Sequence, residues 1–288
     1  MPELPEVETV AADLRRRAVG ARIEDLWTSH LALRGRRHVD GRALARAAVG
    51  ATLEAVRRRG KYLLCELSSG TVLLFHLGMT GNLHLALGRS PRAPHTHLVF
   101  RLDAGAGRRA GLGDEAVELR FVDPRRFGLC RVLTRDEVAT APELARMGPE
   151  PLERGFSVTR LGEALAGSRR DLKSLLLDQN RVAGIGNIYA SEALWAAGIH
   201  PRATPARLGP ERVARLHRAI REVLAEAIAN RGTTFRDFAD PAGLPGDHLQ
   251  KLHVYARAGQ PCDRCGAKIR GIVLGQRSTF YCPRCQRV

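Results

Sequence analysis

The sequence predicts an α+β multidomain protein, with a leading helix, an N-terminal β-sandwich or barrel, a helical second region and a C-terminal zinc hairpin. Three observations predict it. Helical spacing at the start gives way, between Ala21 and Leu133, to short β-branched or alternating runs separated by Gly and Pro turns. Helical spacing then returns beyond a Pro- and Gly-containing connection, Ala141 to Gly155. Finally, four of the six cysteines fall in two close pairs near the end of the chain. A length of 288 residues allows two domains, or two with an accessory.

From Glu6 to Arg17, Val7, Val10, Ala11 and Leu14 recur on one helical face, and Pro5 stands in the first turn, where its missing N–H costs nothing. The strand signals include Thr52 to Val56, Tyr62 to Leu67, Thr71 to Leu77, His97 to Leu102 and Val117 to Val122. The isolated Cys65 and Cys130 lie in hydrophobic stretches and read as small buried apolar residues. Between Val158 and Asn230, helices are expected at Leu172 to Leu177, Ile188 to Ala196 and Glu211 to Ile228. Gly232 to Leu252 is polar and too long for a routine connection, so it is either mobile or functional. The expected domains are therefore 1–140, 141–252 and 253–288.

A chain that is 44% hydrophobic and 26% charged has an ordinary globular composition, which excludes a disordered tail, a collagen-like fibre and a disulfide miniprotein. No apolar run approaches the roughly 18 residues of a spanning helix, and no basic-then-apolar signal opens the chain. The expected compartment is the cytosol. Forty-six Lys and Arg against 30 Asp and Glu give a formal charge of +16, which favours a polyanionic partner, nucleic acid before an anionic membrane. Arg and Ala enrichment from a GC-rich genome accounts for part of that excess.

Cys262-x2-Cys265, sixteen intervening residues and Cys282-x2-Cys285 have the spacing of a four-thiolate zinc site, each pair supplying one knuckle. Four thiolates leave no open coordination position, so the metal is expected to be structural. Two disulfides would need an oxidising compartment. Arg264, Lys268, Arg270, Arg277, Arg284 and Arg287 around the pairs point toward phosphate contacts.

The opening Met1-Pro2-Glu3-Leu4-Pro5-Glu6-Val7-Glu8-Thr9 offers chemistry. With Met1 removed, Pro2 carries a free secondary amine at a helix start, able to attack an electrophilic sugar carbon and form an iminium. The helix's positive end lowers the pKa of such an amine, leaving an unprotonated fraction at neutral pH. Glu3 beside it is placed to deliver a proton. Taken alone, Glu3, Glu6 and Glu8 also suit a helix N-terminus as ordinary electrostatic complements.

Pro2 to Thr9, Arg59-Gly60-Lys61-Tyr62-Leu63, His76-Leu77-Gly78-Met79-Thr80-Gly81, Asp123-Pro124-Arg125-Arg126-Phe127-Gly128, Gly184-Ile185-Gly186-Asn187-Ile188-Tyr189-Ala190 and the zinc hairpin together resemble the formamidopyrimidine-DNA glycosylase family. The matches run in order along essentially the whole chain. Endonuclease VIII is similar in plan, but its opening typically has Gly where this chain has Leu4, which places the sequence on the oxidised-purine side.

The resemblance implies an N-terminal β-sandwich, a helix-two-turn-helix domain and one structural zinc ion. It also implies a bifunctional enzyme that excises oxidised purines, such as 8-oxoguanine and formamidopyrimidines, and then cuts the strand by β- and δ-elimination. Pro2 would be the Schiff-base nucleophile, Glu3 the general acid and Glu6 a supporting carboxylate. Lys61 would either transfer a proton in β-elimination or hold a phosphate.

A base buried in duplex DNA must be taken out of the stack. Met79, Arg125 and Phe127 match the residues that fill the gap, and their Gly78-Met79 and Phe127-Gly128 contexts suggest exposed loop tips. Lys173, Asn187 and His95 match phosphate contacts, and Asn187 also suits a helix cap. Arg277 matches a hairpin-tip arginine, best read as a fixed positive clamp on the leaving phosphate because a guanidinium does not give up its proton.

The implied partner is double-stranded DNA with an oxidised base or abasic site, bound by a monomer. Two rivals stand beside this: an endonuclease VIII-like specificity for oxidised pyrimidines, and a damaged-DNA-binding relative without chemistry. Departures fall in the expected damaged-base loop, where Asp247 and His248 stand in place of common aromatics. Just beyond it, Ala256 replaces the usual Gly after Tyr255.

Overall fold

The computed structural model describes residues 1–29, 40–233 and 248–287. These divide into two compact units, the first within Met1–Ala145 and Arg231–Asp247, the second within Arg146–Asn230 and His248–Val288.

The first unit opens with α1 (Leu4–Arg17), whose Val7, Val10, Ala11 and Leu14 are buried as the periodicity predicts. Eight strands follow: β1 (Ile23–Thr28), β2 (Leu53–Arg59), β3 (Tyr62–Leu67), β4 (Thr71–His76), β5 (Asn82–Leu87), β6 (Thr96–Leu102), β7 (Val117–Val122) and β8 (Leu129–Thr134). They form two antiparallel sheets, ordered β1-β6-β7-β5 and β2-β3-β4-β8. Two separate sheets facing across one core make this a sandwich and not a barrel. Phe75 of the second sheet meets Phe100 and Phe121 of the first, with ring centroids 6.1 and 5.9 Å apart. Cys65 and Cys130 lie in the same core, and burial pushes the Cys65 thiol up to about 12.

Short helices that the sequence did not announce decorate the sandwich: α2 (Gly41–Ala48), α3 (Ala104–Ala110) and α4 (Glu137–Thr140). The first two are rich in Ala, Gly and Arg. They are set by caps, with Asp40 accepting from the N–H groups of Arg42 and Ala43, and Asp103 from that of Ala106.

The second unit contains α5 (Val158–Leu165), α6 (Leu172–Leu176), α7 (Asn187–Ala196) and α8 (Pro210–Ala229), then the hairpin β9 (Arg270–Leu274) and β10 (Arg277–Tyr281). Ser157 and Asp171 cap α5 and α6 through the N–H groups of Arg160 and Ser174. In α7 even Glu192 is buried, its carboxylate accepting the N–H groups of His253, Val254 and Tyr255 at 2.8 to 2.9 Å. Burial raises its pKa, opposed by those three donors. It docks the chain entering the hairpin against α7.

Candidate functional site

The candidate residues fall in both units. In the first, Pro2 and Glu3 are buried at the start of α1, Glu3 as its N-cap residue. One helical turn on, Glu6 is 2% exposed, and its Oε2 accepts the Glu3 N–H at 2.8 Å. Its Oε1 accepts the Thr233 N–H at 2.7 Å. Gly232, at φ +78°, permits this approach, since a Cβ there would come within 2.8 Å of Glu6 Oε1. Arg231 is pinned alongside by a 2.7 Å ion pair to Asp13, which is 2% exposed. Pro2, Glu3 and Glu6 at the start of α1 and the segment Arg231 to Thr233, where the expected damaged-base loop begins, thus lie in one anchored region.

Lys61 follows the β2–β3 turn at Gly60 and is 6% exposed. Arg58 shapes that turn, donating to the Gly60 carbonyl at 3.1 Å and to Glu8 of α1 at 2.7 Å. His76, to which its motif alone assigns no role, has its ring 4.6 Å from that of Tyr62 and accepts the Gly78 N–H on Nδ1 at 3.0 Å. Burial, and after it the Lys61 ammonium, hold its pKa down to about 4, so the ring is neutral at pH 7 and its proton sits on Nε2.

Met79 and Phe127 are exposed loop residues, at 38% and 42%. The loops touch, because Gly78 at φ +63° has no Cβ, and one would lie 2.6 Å from the Phe127 backbone carbon. The Arg125 guanidinium lies over the Phe127 ring, 4.9 Å from its centroid. His95 is exposed with φ +66° on the segment entering β6. The first unit therefore brings Met79, Arg125 and Phe127 together.

In the second unit, Lys173 is 1% exposed and donates to Asn187 Oδ1, the Ser278 carbonyl and Thr279 Oγ1 at 2.6, 2.9 and 2.6 Å. Its ammonium braces α6, α7 and β10 from within. Asn187 does not cap α7: it is the first helical residue, Gly186 takes the cap position, and the amide is drawn away to Lys173 and the Ser278 carbonyl. The turn before it is shaped by Gln179, a residue that carried no sequence signal. Its side chain donates to the carbonyls of Leu177 and Ile185 and accepts the Gly184 N–H.

The sulfurs of Cys262, Cys265, Cys282 and Cys285 all lie within 4.8 Å of one another. Cys262–Cys285 and Cys265–Cys282 are 3.9 and 3.5 Å apart, matching a tetrahedral zinc with Zn–S bonds of about 2.3 Å. Arg264, between the first pair, places its guanidinium 3.9 Å over the Trp195 ring and donates to the Trp195 and Ala196 carbonyls at the end of α7. Gly275 and Gln276, both at positive φ, make the two-residue turn, and the exposed Arg277 follows at once.

Ala256 is at φ +60°, a conformation that explains the glycine usual there. His248 is 4% exposed near Tyr189, and its Nδ1 has no partner among the described residues. Asp247 lies outside the described residues. A cavity of about 670 Å³ beside α5 and the start of α8, lined by Val158, Leu165, Leu208 and Val213, contains none of the candidate residues.

Comparison with known proteins gives one answer along the whole chain. Residues 1–130 match the formamidopyrimidine-DNA glycosylase N-terminal domain, 147–239 the H2TH domain of the same family and 259–288 the zinc finger found in FPG and IleRS. A formamidopyrimidine-DNA glycosylase of Symbiobacterium thermophilum is 44% identical, with 100% of this chain and 90% of the relative covered. One of Moorella thermoacetica is 46% identical over 94% of each chain. Among solved structures, the Lactococcus lactis Fpg in complex with abasic-site DNA superposes with a TM-score of 0.87 at 34% identity, covering 99% of this chain and 100% of the other. The Thermus thermophilus MutM (Fpg) protein gives 0.84 at 39% identity, covering 99% and 98%.

Proposed function

The chain belongs to the formamidopyrimidine-DNA glycosylase family, and from that premise we propose that it is a bifunctional DNA glycosylase and AP lyase of base excision repair, acting on oxidised purines. The observation that carries this reading is the cluster at the start of α1, where Pro2, Glu3 and Glu6 are buried together and Glu6 bonds the Glu3 backbone.

After removal of Met1, the Pro2 nitrogen attacks the anomeric carbon of the damaged nucleotide. The N–C1′ bond forms as the bond to the base breaks, and the C1′–O4′ bond of the sugar ring then opens to give the iminium; the amine N–H and the Glu3 carboxyl between them supply the two protons that the leaving base and the ring oxygen take up. The resulting iminium draws electrons from the neighbouring carbons, so loss of a proton there expels the 3′ phosphate, and a second elimination expels the 5′ phosphate. Lys61, beside the neutral His76, is the base or phosphate holder of the first elimination. Arg277 clamps the leaving phosphate.

Met79, Arg125 and Phe127 fill the gap left by the extruded nucleotide, the apolar side chains between base steps and the guanidinium toward the widowed base. His95 and the turn before Asn187, with the Lys173 charge behind it, hold phosphates. Residues 1–140 carry the chemistry, 141–252 the helix-two-turn-helix and damaged-base loop, and 253–288 the zinc finger. Cys262, Cys265, Cys282 and Cys285 hold one zinc ion, which fixes the hairpin fold. The partner is damaged duplex DNA, the working form is a monomer and the compartment is the bacterial cytoplasm. Among the described residues no helix is long and apolar enough to cross a membrane.

Borohydride trapping on duplexes carrying 8-oxoguanine or an abasic site tests the reading. A covalent adduct mapped by mass spectrometry to the Pro2 peptide is expected. No adduct, or preference for thymine glycol over 8-oxoguanine, would overturn it.

A further inference from the structure

The side chain that joins the exposed loops of the first unit is Asp123, 0% exposed. Its Oδ1 accepts the Thr80 hydroxyl at 2.6 Å, and its Oδ2 accepts the Gly128 N–H at 2.7 Å. Thr80 follows Met79, and Gly128 follows Phe127. The Thr80 Oγ1 in turn accepts the Arg125 N–H at 3.3 Å. The Asp123 backbone continues the pattern: its N–H donates to the His95 carbonyl at 3.0 Å, and its carbonyl accepts the Arg126 N–H at 3.1 Å. That carbonyl also accepts His97 Nε2 at 3.0 Å. Because a carbonyl only accepts, the His97 proton is on Nε2, which leaves Nδ1 to accept the Ser29 hydroxyl 3.0 Å away.

We infer that Asp123 is the positioning residue that sets Met79, Arg125 and Phe127 as one rigid wedge for opening the DNA stack and ties the His95 backbone to it. The inference rests on the proposed role of those side chains. Unstacking a base step costs free energy, and a wedge that yields under that load does not deliver the nucleotide to the active site. Met79 and Phe127 are exposed at their tips, so stiffness has to come from beneath. There the carboxylate receives two donors, each adjacent in sequence to a wedge residue, and charge-assisted bonds of this kind are stronger than neutral ones. Gly128 fits the same design. A Cβ on it would come within 3.0 Å of Asp123 Oδ2 and 2.5 Å of Phe121 Cζ, so only glycine brings its N–H to the carboxylate.

The test separates wedge geometry from chemistry. Thr80→Val is nearly isosteric and removes only the hydroxyl between Asp123 and the Arg125 N–H; Thr80→Ser keeps it. Asp123→Asn keeps the shape but offers one accepting oxygen. Each variant is compared with wild type on an 8-oxoguanine duplex with 2-aminopurine opposite the lesion, and on a single-stranded abasic oligonucleotide, which has no stack to open. For Thr80→Val, single-turnover excision from the duplex is expected to fall about tenfold to a hundredfold, the scale of a small misplacement, with loss of the 2-aminopurine rise. Scission of the single strand is expected to stay at the wild-type rate, Thr80→Ser to recover duplex excision and Asp123→Asn to lie between. Wild-type duplex rates in both Thr80→Val and Asp123→Asn would overturn the inference, as would parallel loss on both substrates. A wild-type chain that leaves lesion duplexes uncut would instead remove the reading on which it rests.

Discussion

Glu6 joins its own helix start to Thr233, accepting the Glu3 N–H on one oxygen and the Thr233 N–H on the other, at 2.8 and 2.7 Å. Both donors are backbone groups in a buried place, so the carboxylate cannot be exchanged for an amide without setting an NH2 group against one of them. Leaving a buried donor unsatisfied costs about 1 to 3 kcal/mol. Glu6→Gln is therefore expected to lower stability by that amount in urea melts. Base excision is expected to fall more than scission of a preformed abasic site, because the segment it releases leads into the expected damaged-base loop.

His76 gives the protein an acid-sensitive step. Its pKa is held down to about 4, against 6.5 in the unfolded chain, by burial and then by Lys61. As the pH falls through 6.5 the unfolded state takes up the proton first, so the stability is complete above 6.5 and is lost progressively toward 4. A shift of this size is worth about 3 kcal/mol at most. Urea midpoints of wild type and His76→Asn at pH 7.5 and 4.5 are expected to show the larger acid loss in wild type. Equal losses would place the acid sensitivity elsewhere.

The zinc cluster is expected to govern DNA binding from behind. Arg264 ties the first knuckle to the end of α7, while Thr279 and the Ser278 carbonyl of β10 hold Lys173, which in turn holds Asn187. A structural zinc contributes directly to folding. Metal analysis is expected to give one zinc per chain. Chelation or Cys282→Ser is expected to weaken binding to abasic duplex by about tenfold or more as the turn before Asn187 loosens. Unchanged affinity after verified zinc loss would contradict this coupling.

What the sequence disclosed followed the physics of each signal. Val7, Val10, Ala11 and Leu14 lie on one face of α1, and the cysteine spacing anticipated the sulfur cluster, because a helical period and a chelate spacing are local properties. Strands β1, β5 and β8 stand outside the named strand signals, since Asp25 and Trp27, Asn82 and His84, and Arg131 interrupt or mix their apolar alternation. The sandwich pairing was not legible either: β1 finds β6 and β4 finds β8 through contacts distant in sequence. The roles of Glu192, Gln179 and Asp123, the last quoted only as part of a motif, were not legible for a common reason. An acid or amide reads as a surface group until the fold surrounds it with backbone donors and acceptors. Asn187 misled in the opposite sense, its capping chemistry being overridden by the buried Lys173 ammonium.

Ala256 offers a test that needs no DNA. At φ +60° its Cβ is held against the backbone in the left-handed region, a cost of roughly 1 to 2 kcal/mol for a residue other than glycine. The strain persists because Tyr255, just before it, is fixed by the Glu192 carboxylate, and Arg257, just after it, by the Asp263 carboxylate at 2.7 and 2.9 Å. Ala256→Gly relieves the clash but frees the unfolded chain, which returns about 0.4 to 1 kcal/mol. The balance predicts a net gain of about 1 kcal/mol, seen as a higher urea midpoint with an unchanged slope. A midpoint at or below wild type would mean that the docked Tyr255 and Arg257 leave Ala256 less strained than its backbone angle indicates.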